Sequence, residues 1–117
     1  MTGRVEMLKD ALKVLAAEPD EQVRWLDTQD VPVDVDELAL DYDAIAAAAD
    51  NMLREGEISK AQCECVKALH QYFDTFSGAA NADLWDEAAL RSAEQWRRVR
   101  EMARECLGLL DETQPGT

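Results

Sequence analysis

No run of about eighteen apolar residues occurs in the chain, so no segment is expected to span a membrane. Sustained apolar–polar alternation is also missing, which argues against the half-buried strands of a sheet protein. Histidine occurs once, at His70, and there is no Ser/His/Asp pattern, no glycine-rich phosphate loop and no cysteine beside a candidate base. The common nucleophilic and phosphoryl-transfer chemistries therefore lack their residues, and no catalytic residue is expected. Charges interrupt every apolar cluster of residues 1–14, and no small-residue cleavage site follows, which argues against a secretory signal. Cys63, Cys65 and Cys106 are odd in number and lack the spacing of a disulfide framework, as suits a reducing compartment. Together these absences point to a cytoplasmic protein.

A local absence is more informative. Residues 25–53 contain no lysine or arginine, yet hold eight acids: Asp27, Asp30, Asp34, Asp36, Glu37, Asp41, Asp43 and Asp50. In the same stretch Leu38, Tyr42, Ile45, Ala49 and Met52 recur at steps of four and three, one face of an α-helix. Residues 18–57 carry thirteen acids against Arg24 and Arg54, a net −11 out of −13 for the chain. Arginines gather instead near the end, at Arg91, Arg97, Arg98, Arg100 and Arg104. A surface polarised in this way repels nucleic acid and steers a cationic partner to one side.

What is present describes a folded helical protein. Apolar residues make up 47% and charged residues 32% of 117, enough for one hydrophobic core, so residues 1–117 are expected to form a single domain. Its ordered part should span about 4–111, with tails at 1–3 and 112–117. Val5, Leu8, Leu12 and Leu15 mark a first helix that ends near Ala17. Pro19, Asp20 and Glu21 suit the first turn of a short second one. A third is expected to start at a cap, Asp34 or Asp36, and to run through the alanines to Arg54 or Glu55, with Gly56 as its left-handed stop. Ser59 and Gln62 have capping-box spacing, with Ile58 as a hydrophobic staple, and open a helix to about residue 76. A short helix capped by Asp83 or Asp86 follows. Ser92 and Gln95 repeat the box before a final helix at about 93–110, whose stripe is Trp96, Val99, Ala103, Cys106 and Leu110. The expectation is an all-α bundle of five or six helices with short loops.

On a helix Cys63 and Cys65 point roughly 200° apart, so they do not converge on one ion with His70. Asp34-x-Asp36 opens like a calcium loop, but its sixth position is Ala39 and its twelfth Ile45. No metal or cofactor is expected. Trp96 lies on a core stripe, whereas Trp25 and Trp85 are candidates for rim anchors as well as for packing. The arginines of the last helix are expected to pair with the acids of the third.

Several segments carry a resemblance: Pro19-Asp20-Glu21-Gln22-Val23-Arg24-Trp25-Leu26, Asp36-Glu37-Leu38-Ala39-Leu40, Gly56-Glu57-Ile58-Ser59, Ser77-Gly78, Leu84-Trp85-Asp86-Glu87-Ala88-Ala89-Leu90 and Trp96-Arg97-Arg98-Val99-Arg100. Over residues 5–110 the chain resembles small, acidic, helical bacterial proteins of the immunity-protein type found in toxin systems. The resemblance implies a cytoplasmic bacterial protein that acts by binding another protein, and it carries over no catalytic residue. The expected partner-binding set is Asp34, Asp36, Glu37, Asp41 and Asp43, with Trp25 and Trp85, occluding a basic protein. The alternative is an adaptor that docks a helix or another copy through an apolar strip of Trp25, Val31, Val33 and Trp85. A third reading, an enzyme with buried acids, requires a strongly raised carboxyl pKa.

Overall fold

Arg4–Ala16 (α1) buries Leu8, Ala11, Leu12 and Leu15, the stripe read from its three–four spacing. The computed structural model to which this helix belongs describes residues 3–29 and 34–111. Within them it contains α2 (Pro19–Asp27), α3 (Asp36–Ala46), α4 (Ala49–Arg54), α5 (Lys60–Asp74), a 3₁₀ segment (Ala79–Trp85), α6 (Glu87–Ser92) and α7 (Glu94–Asp111). The described residues hold no strand, and their seven α-helices exceed the expected five or six by a break in the third. That break falls at Ala47 and Ala48. The Ala48 N–H bonds the Ile45 carbonyl at 3.0 Å, a tightened i→i+3 turn, and Ala48 sits at φ −88°, ψ 0°. Alanine favours helix only weakly against packing demands. The turn lets α3 lie on α1 and α5 while α4 lies on α5, and it leaves both Ala49 and Met52 buried.

The helix ends follow sequence signals in most places. Gly56, at φ 75°, closes α4 as a Schellman motif, with Glu57 N–H on the Met52 carbonyl (2.8 Å) and Gly56 N–H on that of Leu53 (3.1 Å). Ser59 and Gln62 form the reciprocal capping box of α5. Asp86 caps α6 by accepting the Ala89 N–H at 2.7 Å. The second expected box fails. Because α6 runs through Ser92, that hydroxyl is helical and donates back to the Ala88 carbonyl (2.8 Å), while extended Ala93 separates α6 from α7. Asp34 and Asp36 do not cap α3 either: Val35 occupies the cap position in a helical conformation with no side-chain cap bond.

α7 is the organising helix. It packs most extensively on α1 and then on α5, and its Trp96, Val99, Ala103, Cys106 and Leu110 are buried in one contiguous core. On α2 the apolar Val23 and Leu26 are only half-buried, while the polar Gln22 is wholly enclosed. Its amide donates to the carbonyls of Val14 (3.1 Å), which also accepts the Ala17 N–H, and Leu15 (3.0 Å), in the last turn of α1 where helix carbonyls lack i+4 partners. Its Oε1 accepts from Arg100 Nη1 at 3.2 Å, and the same nitrogen donates to the Leu90 carbonyl at 3.0 Å. Burial shifts the Arg100 pKa downward, and the charge of Glu18 opposes that shift. This polar clasp joins α1, α2, α6 and α7 inside the fold.

An aromatic cluster joins the end of α5, the 3₁₀ segment and α7. Phe73, Phe76, Trp85 and Trp96 have ring centroids 5.2–6.2 Å apart, with Trp85 stacked on Phe76 at 20° and perpendicular to Trp96 at 82°. Such pairs add about 0.5–1.5 kcal/mol each beyond area burial. Both indole N–H groups are used: Trp96 donates to the Leu84 carbonyl (2.7 Å) and Trp85 to that of Phe76 (2.8 Å). These bonds hold the 3₁₀ segment against the core. Buried Tyr42 donates to the Val66 carbonyl at 2.7 Å, tying α3 to α5, and burial raises its phenol pKa. No helix among the described residues is long and apolar enough to cross a membrane.

Candidate functional site

The side chains of α3 sort by angle. With roughly 100° per residue, Asp36, Leu40 and Asp43 fall on one stripe next to Ala39. Against this stripe stand the end of α5, the Ser77–Gly78 turn and the 3₁₀ segment, enclosing an open groove of about 390 Å³. Its acids are Asp34, Asp36, Asp43 and Asp74; its apolar surface comes from Ala39, Leu40, Phe73, Ala82 and Trp85. Leu40 is 55% exposed, a large apolar side chain left to water at the rim. Gly78 shapes the opposite wall at φ 95°, ψ 167°, a conformation essentially reserved for glycine.

A second groove of about 290 Å³ adjoins the first, sharing Asp34 and Trp85. Val23, Leu26 and Val35 supply its apolar surface, and Asp27, Asp86 and Glu87 supply further carboxylates. Neither groove has a lysine or arginine among its described lining residues. Asp86 is engaged as a helix cap, and Glu87 meets Arg91 at 3.2 Å. Asp43 lies beside His70 Nδ1 without hydrogen-bond alignment, a contact that becomes an ion pair only when the imidazole is protonated. Asp27, Asp34, Asp36 and Asp74 have no ion pair among the described residues.

The arginines of α7 explain this surplus, and they correct an expectation. Arg97 pairs with Glu94 and Glu101, and Arg98 with Glu101 (3.3 Å) and Glu105 (3.8 Å), all on α7 itself. Arg104 reaches Glu18 at 3.0 Å, and Arg91 reaches Asp20. None pairs with α3, because α7 faces α1 and α5 and its exposed flank lies away from that helix. The Arg97 guanidinium lowers the pKa of Glu94, and Arg91 lowers that of Asp20.

The expected site residues divide. Asp34, Asp36, Asp43 and Trp85 come together in the first groove, whereas Glu37 and Asp41 lie on the neighbouring stripe of α3 and line neither groove. Asp41 is exposed but crowded enough that desolvation raises its pKa. Trp25 is half-buried on α2 and also lines neither groove; Val31 and Val33, the middle of the expected apolar strip, lie outside the described residues. Asp74, Leu40 and Phe73 were not anticipated. Phe73 and Asp74 sit at the last turn of α5, where only the packing of α3 brings them opposite the acids.

Other clusters have local explanations. Asp50 accepts from Lys67 (3.0 Å) and contacts the Cys63 thiol (3.7 Å); burial raises the pKa of Cys63. Burial raises that of Cys106 as well, with the Cys65 thiol beside it. Thiols shifted this way are poor nucleophiles. Among the described residues no group of three or more His, Cys, Asp or Glu is placed to hold a metal ion. Compared with protein-family models, curated proteins and solved structures, the chain matches none.

Proposed function

We propose that this protein is a non-catalytic protein-binding protein that occludes a basic surface of its partner through the acidic grooves of α3, an immunity protein or antitoxin being the concrete form. One observation carries the reading: the grooves gather carboxylates without a lysine or arginine while Arg97, Arg98 and Arg104 of α7 pair with carboxylates outside the grooves. Uncompensated carboxylates around a concave surface attract a cationic partner at long range and pair with it on contact. A toxin that acts on nucleic acid must present cationic surface to phosphate, and such a surface is complementary to these grooves. The same field disfavours nucleic acid and anionic membranes as partners, and the protein works in the cytoplasm without a cofactor.

A second reading, an adaptor docking through apolar contact, is favoured by exposed Leu40 and by Trp85 between the grooves. Salt separates the two, because screening weakens ionic contacts and leaves apolar ones intact. The test is capture of a partner from native lysate at low and high salt, alongside the variant Asp34→Lys, Asp36→Lys, Asp41→Lys and Asp43→Lys. A basic protein retained at low salt by the original chain alone supports occlusion. Equal retention by the reversed variant overturns it in favour of the adaptor.

A further inference from the structure

Asp34 and Trp85 line both grooves, so the two concavities are the halves of one surface divided by a ridge. The ridge is rigid: the Trp85 indole stacks on Phe76, stands perpendicular to Trp96 and donates its N–H to the Phe76 carbonyl. Uncommitted carboxylates lie on either side, Asp36 and Asp74 in the larger half and Asp27 in the smaller, with Asp34 between them. The matching occupant therefore carries positive charge at two places separated by an apolar group.

Size restricts it further. At about 390 and 290 Å³ the halves sit at the low end of ligand pockets, which run from about 300 to 1,000 Å³. They have room for side chains, not for a helix roughly 10 Å across. An extended chain sends alternate side chains to one face, which places a basic, an apolar and a second basic residue in line. A metal ion lacks a ligand cluster among the described residues. A free polyamine supplies the charges but leaves Trp85 and Leu40 in water.

We infer that the grooves recognise one extended segment of a partner protein in which an apolar residue covers Trp85 and a lysine or arginine on each side enters the flanking carboxylates. The inference rests on the protein-binding reading and specifies what is bound. Arginine suits the site better than lysine, because a guanidinium can bridge two carboxylates and also lie against the indole face.

The test uses the full chain, ¹⁵N-labelled, titrated with Ac-Gly-Arg-Ala-Leu-Ala-Arg-Gly-NH₂, with Ac-Gly-Leu-Ala-Arg-Ala-Arg-Gly-NH₂ of equal charge, and with spermine. The expected result is saturable shifts of the Trp85 indole N–H, of Leu40 and Gly78 in one half and of Leu26 and Val35 in the other, with the first peptide binding several-fold tighter. Asp34→Asn should weaken it about tenfold, as the loss of a charged hydrogen bond does. Asp10→Asn, on the outer face of α1, should leave the affinity unchanged. Equal binding of both peptides, shifts in one half only, or tighter binding of spermine would each overturn the two-sided segment while leaving protein binding in place. Shifts spread evenly over distant acids such as Glu6 and Glu64, or none at saturating peptide, would overturn both.

Discussion

α3 and α7 are both rich in charge, and they use it in opposite ways. On α7 glutamates and arginines at i, i+3 and i, i+4 neutralise one another, and its remaining exposed arginine reaches the end of α1. On α3 the acids have neither local cations nor a cap to serve, so four of its first eight positions add negative charge that nothing on the helix offsets. The difference separates charge content from available charge. A charged helix whose ions are matched within itself is a solvated wall; one with unmatched ions around an apolar floor can attract and hold something else.

The largest effects on this contrast come from its shared support. Trp96→Ala on α7 should cost about 3–5 kcal/mol, since it empties a wholly buried site and frees the Leu84 carbonyl that fixes the groove wall. Ile45→Ala on α3 should cost about 2–5 kcal/mol. Urea denaturation measures both, and a loss below about half a kcal/mol in either would refute the corresponding buried face. Gly78→Ala should cost about 1–3 kcal/mol from backbone conformation alone, because open space surrounds the added methyl group. Peptide affinity should fall with it, whereas Gly56→Ala, also at positive φ but remote from the grooves, should lower stability and spare affinity.

Ser59→Ala removes a hydroxyl that accepts the Gln62 N–H at 3.1 Å and should cost about 1 kcal/mol. An unchanged denaturation midpoint would show that α5 does not depend on this cap. The smallest effect is the sharpest contrast. Carboxyl titration by NMR should find Asp41 of α3 above the ordinary aspartate range and Glu94 of α7 below that of glutamate. The signs follow from proton linkage. Glu94 binds its proton less readily when folded, so its contribution is present above the unfolded pKa and is lost as pH falls through the folded value. Asp41 binds its proton more readily when folded, so its contribution is present at low pH and is lost as pH rises from the unfolded value through the folded one. Identical titration of the two groups relative to their ordinary values would erase the distinction.

Local chemistry was legible wherever one short segment contains both partners of an interaction. Ser59 and Gln62 are three residues apart, and the Gly56 stop needs only its own backbone, so both could be read directly. The Ser92 box failed for a local reason of the other kind: Asp86 starts a helix early enough to absorb Ser92. The groove was half legible. Asp34, Asp36, Asp43 and Trp85 could be nominated by charge and residue type, but Asp74 and Phe73 had no distinguishing signal, since they differ from other residues of α5 only in what packs opposite them.

By itself the sequence determined the all-helical class, the buried stripes and the lack of cations along α3, because periodicity and charge order are properties of the chain. Tertiary structure alone decided that Gln22 and Arg100 meet inside the fold, that α3 breaks at Ala47 and Ala48, and that the α7 arginines turn away from the α3 acids. Each of these depends on which helices become neighbours. That choice is made by the packing of whole faces, and it is not encoded in any one segment.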